Sequence, residues 1–167
     1  MQEEFIFYFG PDSPFSHWYR CRFSVDGTSY CCVDQYLMYR KAVMFHDAEI
    51  AGTILNSSDP GRHRSLGKKV RGFQKNAWQE VCRRYAYDAN FAKFTQNEGL
   101  KTALLGTLGK GLAEASPYDR NWGIGLSLAN SRNRDRRNWR GRNWAGEVLE
   151  SVRTALLEGN ASLRQTL

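Results

Sequence analysis

Two periods of hydrophobic and polar positions alternate along the chain, and the switches between them mark its elements. Phe5-Ile-Phe-Tyr-Phe9 is a short aromatic run closed by Gly10-Pro11, which predicts a buried strand. Arg20 to Val25 and Thr28 to Cys32 flank Asp26-Gly27, a dipeptide that supplies the positive φ angles of a tight hairpin turn, so a small antiparallel sheet is expected to open the protein. From Val33 the period lengthens: Val33, Tyr36, Leu37, Arg40 and Met44 share a stripe that predicts a helix to about His46. Asp47 is placed to cap a second helix running towards Leu55, and Ser57-Ser58-Asp59-Pro60 stops it and starts another with proline in its first turn. Asn76 to Thr95 and Glu98 to Leu108 read as two central helices, and Leu112 to Ala115 as a strand. Glu147 to Glu158 reads as a last helix with Val148, Leu149, Val152 and Leu156 inward and Gly159 as its stop. Residues 116–142 keep neither period; a loop this long is functional or disordered, and Trp122 and Trp139 favour an ordered, functional one. Residues 159–167 are expected to fray. Strands and helices in separate runs, with no repeat or linker, give an α+β class: a mostly helical single domain over residues 1–158 with a small N-terminal antiparallel β-sheet.

Composition narrows the class. With 41% hydrophobic and 13% aromatic residues in 167 positions, the chain can bury a real core, which excludes intrinsic disorder. A mean hydropathy of −0.60 and the lack of a long apolar run exclude a membrane span. Met1-Gln-Glu-Glu-Phe5 has neither the basic nor the apolar region of a secretory signal, so a cytoplasmic location is expected. Cys21, Cys31, Cys32 and Cys82 form no Cys-x-x-Cys pair, and His17, His46 and His63 lack the spacing of a helical metal pair. No metal or cofactor is expected, and the cysteines read as reduced small hydrophobes.

Charge adds candidate chemistry. The 24 Lys and Arg outnumber the 17 Asp and Glu, a net charge of +7. Arg62, Arg64, Lys68, Lys69, Arg71 and Lys75 lie between Asp59 and Glu80 without an intervening acid, and residues 132–142 hold six arginines against one aspartate. Arginines interleaved with Trp139 and Asn143 suit a polyanion that also offers a base to stack on; the other reading of that run is a solubilising surface. Asp34, Met38, Lys41 and Phe45 share one face of the first predicted helix. Asp34 and Lys41 stand about 10.5 Å apart along its axis, too far to pair comfortably but placed to converge on a ligand. Two ordinary surface charges flanking Met38 fit the same spacing. Glu114 ends a predicted strand and Asp119 follows in the loop, so these carboxylates can meet helix-borne groups, as acid-base hydrolysis at an anomeric carbon requires.

Six stretches, taken in order, resemble the NADAR (YbiA-like) family: Pro14-Phe-Ser-His-Trp-Tyr19; Asp34-Gln-Tyr-Leu-Met-Tyr-Arg-Lys-Ala42; Leu66-Gly-Lys-Lys-Val70; Asn90-Phe-Ala-Lys-Phe-Thr-Gln-Asn97; Leu112-Ala-Glu-Ala-Ser-Pro-Tyr-Asp119 with Trp122-Gly-Ile-Gly125; and Asn138-Trp-Arg-Gly-Arg-Asn-Trp-Ala-Gly146. The resemblance implies a YbiA-like fold and an N-glycosidase that cleaves an ADP-ribose-linked guanine base in nucleic acid or, alternatively, a ribosylamino-pyrimidine phosphate of riboflavin biosynthesis. It implies catalytic roles for Lys41, Asp34, Glu114 and Asp119. Substrate contacts would come from Phe15, Ser16, Trp18, Tyr19, Gln35, Lys68, Trp122, Gly123, Trp139, Gly141 and Asn143. The implied partner is an ADP-ribosylated nucleic acid or nucleotide-like compound, met by a monomer, and any ADP-ribosyltransferase toxin that makes it is left unidentified. Three positions depart from the family pattern, which usually has Glu at Asp34, Arg at Lys68 and Asn at His17. A shorter carboxylate and a lost guanidinium fork keep a non-catalytic binder of ADP-ribose or nucleic acid among the readings.

Overall fold

The computed structural model describes residues 3–159. The expected frayed tail therefore lies, apart from Gly159, outside the described residues. Strand β1 (Phe5–Tyr8) precedes a hairpin of β2 (Phe23–Val25) and β3 (Thr28–Tyr30). Asp26 and Gly27 turn it with φ angles of 50° and 80°, the left-handed pair that a two-residue hairpin needs. Five helices follow: α1 (Val33–Met44), α2 (Ala48–Leu55), α3 (Pro60–Gly67), α4 (Lys75–Gln96) and α5 (Glu98–Leu105). Strand β4 (Gly111–Glu114) and helix α6 (Trp144–Glu158) complete the order.

The expected caps are present. Asp47 accepts from the Ile50 N–H at the start of α2, Asp59 accepts from Gly61 ahead of α3, and Gly159 ends α6 in a left-handed conformation. Asp47 also takes three hydrogen bonds from Arg71, which ties the start of α2 to the segment after α3. Helix α6 begins three residues before the expected Glu147, because Ala145 and Gly146 are small for contact rather than for turning.

The antiparallel sheet is the β2–β3 hairpin alone. Strand β1 pairs instead with β4, in parallel and in register from Phe5 opposite Gly111 to Tyr8 opposite Glu114. Parallel strands need a long crossover, and here the hairpin and five helices supply it. Helix α1 packs against α2, α3 and α4, while α6 packs against α4, α5 and β4. The main core joins Tyr8, Phe23, Tyr30, Val33, Leu37, Tyr87, Phe94, Leu112 and Leu149 from the four strands and from α1, α4 and α6, while α2 packs on α1 in a second cluster with Ala42, Ala51, Ile54 and Val70. Among the described residues the four cysteines are free thiols, and no helix is long and apolar enough to cross a membrane.

Among the described residues β4 has no strand on its second edge, and side chains at the start of α6 and within it satisfy that edge. Asn143 Nδ2 donates to the Leu112 carbonyl (2.8 Å), Asn143 Oδ1 accepts from the Glu114 N–H (3.0 Å), and Glu150 Oε1 accepts from the Leu112 N–H (2.8 Å). The loop from β4 to α6 folds back on itself through bonds from Ile124 N–H to the Glu114 carbonyl and from Asn143 N–H to the Gly123 carbonyl. Gly146 lies so close to β4 that a Cβ there would overlap the Leu112 carbonyl and the Asn143 amide. Gly146→Ala should therefore cost about 1–3 kcal/mol of stability, read as a lower midpoint in urea unfolding with an unchanged slope.

Candidate active site

A cavity of about 260 Å³ opens where α1, α3, β4 and two loops meet. Helix α1 contributes Asp34, Leu37, Met38 and Lys41, the face that its 3.6-residue period predicts. Helix α3 contributes Arg64, and Lys68, its C-cap four residues on, follows Gly67. A Cβ at Gly67 would overlap Met38, so glycine lets α3 approach α1 and bring both cations to the wall. Glu114 arrives on the last residue of β4, and Asp119, Asn121 and Trp122 arrive on the following loop. His17 and Trp18 come from the loop after β1, and Trp78 from α4.

The loop after β1 is anchored by a buried cation. Lys93 on α4 donates to the carbonyls of Pro14 (2.6 Å) and Ser16 (3.1 Å), with no carboxylate partner among the described residues, and burial lowers its pKa to about 8. His17 is buried beside it and accepts through Nε2 from Asn90 (3.3 Å), while its ring meets Trp122 edge-on at 5.2 Å. Burial first, then the charges of Lys93 and Arg64, push its pKa down to about 3, so it stays neutral. The His17 carbonyl accepts from the Asp34 N–H (2.9 Å), which fixes the loop to the start of α1.

The carboxyl groups are unequal. Asp34 receives a hydrogen bond from the Trp18 side chain, yet its Oδ2 is buried with no hydrogen-bond partner. Glu114 Oε2 is in the same condition. Burial raises Asp34 to about 6; burial and the charges of Asp119 and Asp34 raise Glu114 to about 7. Asp119 differs, because its Oδ1 accepts from the N–H groups of Asn121 (2.9 Å) and Trp122 (2.8 Å) and its Oδ2 pairs with Arg64 at 3.2 Å. Its work is to hold the loop and the guanidinium. Lys41 is buried with its ammonium 3.9 Å from the centre of the Phe73 ring, and burial together with Arg64 lowers its pKa against the opposing effect of Asp34.

Seven of the residues expected from the sequence line this cavity: Asp34, Lys41, Glu114, Asp119, Trp18, Lys68 and Trp122. The other eight do not line it. Phe15 lies in the core against Tyr8, Ser16 Oγ accepts from the Trp18 N–H, and the Tyr19 ring faces Lys93. Gln35 donates to the Ile54 and Ser57 carbonyls and accepts from the Cys31 N–H, locking α1 to the α2–α3 junction. Gly123 and Gly141 let two loop backbones touch, because a Cβ on Gly141 would collide with the Gly123 carbonyl. Trp139 donates to the Asn133 carbonyl (2.6 Å) and packs on Phe5, and Asn143 clamps β4. None of the six arginines of residues 132–142 reaches the cavity; Arg136 pairs with Glu3 and Arg137 with Asp135. Arg64 and Asn121 were missed as site residues. Charge density marks Arg64 no more than its neighbours, and only its spacing of four from Lys68 on one helical face singles it out.

A NADAR domain family model matches residues 6–157. The chain is 43% identical to Protein irg-1 of Caenorhabditis elegans over 129 residues, which is 76% of this chain but 61% of that protein's length. It is 32% identical to N-glycosidase R617 of Acanthamoeba polyphaga mimivirus over 90% of this chain and 95% of the relative. A third similarity, 34% over 93 residues, is to 14% of the chloroplastic riboflavin biosynthesis protein PYRR of Arabidopsis thaliana and 55% of this chain. The fold resembles that of the E. coli protein YbiA, with a TM-score of 0.78 at 24% identity, covering 95% of this chain and 88% of that one. With the family model spanning nearly its whole length, the chain belongs to the NADAR family.

Proposed function

We propose that the chain is an N-glycosidase that hydrolyses the bond between a ribose carbon and a base nitrogen in an ADP-ribose-linked guanine or a similar nucleotide. One observation carries the reading: Asp34 and Glu114 present unpartnered, buried carboxyl oxygens to one cavity, with pKa values of about 6 and about 7, beside Lys41. Two carboxyl groups that titrate near neutrality supply one proton donor and one acceptor at working pH. The N-glycosidase name of the viral relative agrees with this chemistry. A second substrate, a ribosylamino-pyrimidine phosphate, is favoured by size. A cavity of about 260 Å³ seats a ribose phosphate with part of a base, and a whole ADP-ribose unit would extend beyond it.

Glu114 is assigned as the acid that protonates the leaving nitrogen. Asp34 is assigned as the base, and Arg64 and Lys68 as the phosphate-binding wall. Two routes share these assignments. In the first, water attacks the anomeric carbon as the base departs, Asp34 takes the water proton, and Glu114 gives its proton to the base. In the second, the ribose opens to an imine, the Lys41 amine adds to its carbon, the base leaves as an amine after protonation by Glu114, and water releases the sugar from the lysine imine. Asp119 orients Arg64 and the loop.

Incubation with guanine-ADP-ribosylated DNA and, in parallel, with the ribosylamino-pyrimidine phosphate tests the class: release of ADP-ribose or of ribose phosphate is expected, and turnover of neither would leave a binder. The profile of kcat/KM against pH should be a narrow bell, rising as Asp34 ionises near pH 6 and falling as Glu114 ionises near pH 7, and Glu114→Gln should remove the alkaline limb. Asp34→Asn should lower kcat by about 10²- to 10⁴-fold with the fold intact. The same substitution should stabilise the protein. Asp34 has its pKa raised from 3.8 to about 6 in the folded state, so the stability it lends is present below pH 3.8 and lost as pH rises through about 6. Thermal melts should therefore show Asp34→Asn ahead of the wild type above pH 6, by on the order of 1–3 kcal/mol, with the gap closing in acid. Lys41→Arg keeps the charge but forms no imine; loss of turnover together with a borohydride-trapped sugar on the peptide containing Lys41 supports the covalent route. Near-normal turnover without an adduct assigns the direct one.

A further inference from the structure

Cys31, Cys32 and His63 take no part in the catalytic cavity, and the spacing of Cys and His along the chain gives no hint that they meet. The fold brings them together because Cys31 and Cys32 directly precede α1 while His63 lies in α3, which packs against it. Their two sulfurs and one imidazole nitrogen all lie within 4.8 Å of one another. Cys32 Sγ and His63 Nδ1 are 3.7 Å apart. A tetrahedral zinc, with bonds of about 2.3 Å to sulfur and about 2.0 Å to nitrogen, holds such donors roughly 3.5–3.8 Å from each other. One edge of that tetrahedron is already in place, and the other two are no longer than 4.8 Å.

The surroundings are those of a ligand set rather than of packed hydrophobes. His63 Nε2 lies 2.7 Å from the Ser57 carbonyl, an acceptor, so its proton sits on Nε2 and the Nδ1 lone pair faces the Cys32 sulfur. An imidazole oriented by a backbone carbonyl on its far nitrogen is the usual support of a metal-bound histidine. The Gln35 N–H points at Cys32 Sγ from 3.4 Å, and the Gln35 side chain holds the Cys31 N–H at 2.8 Å. Cys32 and His63 are fully buried, whereas Cys31 is half-buried and lines a second cavity of about 380 Å³ together with Cys21. Two thiolates would balance the charge of one divalent ion, and the sulfur-rich set selects zinc over magnesium or calcium.

We propose that Cys31, Cys32 and His63 form a zinc site with its fourth position open to the cavity that Cys21 lines. A bound ion would staple the first turn of α1 to α3. Asp34 and Arg64 lie within two residues of these ligands, so the site would brace both walls of the catalytic cavity without touching substrate.

The test uses the full chain, reduced and stripped of metal, titrated with Co²⁺ as a visible probe. One equivalent should produce tetrahedral d–d bands and a thiolate-to-cobalt charge-transfer band, and Zn²⁺ should displace it. Cys31→Ser and His63→Gln should each weaken binding at least about tenfold, while Cys82→Ser, at a buried thiol on α4, should leave it unchanged. Zinc should also raise the melting temperature of the parent chain by about 5 °C and leave that of Cys31→Ser where it was. Cys31 is half-buried, so serine there leaves the core intact and isolates the loss of the ligand. Absence of the charge-transfer band in the parent chain, or an undiminished affinity for Co²⁺ in Cys31→Ser, would overturn the site.

Discussion

The parallel pairing of β1 with β4 is the constraint on which the cavity depends. It joins residues at the two ends of a long crossover and sets Glu114 opposite Tyr8 at the mouth of the helical layer. A two-stranded parallel ribbon leaves peptide groups of β4 without a neighbour, and such groups are costly to bury. Asn143 and Glu150 act as a substitute third strand, three side-chain hydrogen bonds in place of a ladder. Asn143 does so from a left-handed backbone conformation (φ 57°), which asparagine tolerates better than most residues. The start of α6, the β4–α6 loop and the carboxyl group of Glu114 are thereby positioned by one asparagine.

Against that frame, the cavity opposes stability. Asp34 and Glu114 are both buried, each keeps an oxygen without a partner, and burial raises the pKa of each, with the charge of Asp119 adding to both. Lys41 and Lys93 are buried cations with depressed pKa values, and neither has an ion pair among the described residues. Lys93 has solved its problem locally with two carbonyls, and the same two bonds fix the loop that carries Trp18. Lys41 has only the face of Phe73. Buried side-chain atoms without a hydrogen-bond partner also occur elsewhere, at Tyr8 and Arg40, but those of Asp34 and Glu114 line the cavity and belong to carboxyl groups that can exchange a proton with a ligand.

Local features of the fold were legible because each has a local cause. Asp26-Gly27, Asp47 and Asp59-Pro60 act within four residues of themselves, and the face of Asp34, Met38 and Lys41 follows from one helical period. The partner of β1 was not legible, since nothing in four residues of strand names a mate a hundred positions away. For the same reason the cysteine and histidine spacing could not show that Cys31, Cys32 and His63 converge. The motif residues Gln35 and Gly123 belong to the same stretches as Asp34, Asp119 and Trp122, yet Gln35 bonds to backbone groups and Gly123 lets two backbones meet. A motif marks both kinds of residue alike, and only geometry separates a side chain that faces the cavity from one that holds the chain around it. Charge density did not locate the cavity. The denser arginine run lies outside it, while the sparser pair of Arg64 and Lys68 reaches its wall because Gly67 lets α3 come close to α1.

The pairing of Arg64 with Asp119 gives the proposed reaction a coupling between binding and proton position. Arg64 lowers the pKa of Glu114 and Asp119 raises it, so the ion pair leaves the acid near neutrality. A phosphate binding on the α3 wall would draw the guanidinium towards itself and bring further negative charge near Glu114. Both effects raise the affinity of Glu114 for its proton. Asp34 responds in the same direction, since Arg64 also holds its pKa down, so the pH at which the base ionises would move up together with that of the acid. The substrate's own phosphate would then favour the protonated acid that the leaving nitrogen requires, while a neutral sugar lacking phosphate would not. On this reasoning Arg64 contributes to specificity twice, once as a contact and once through the protonation state of a group it does not touch.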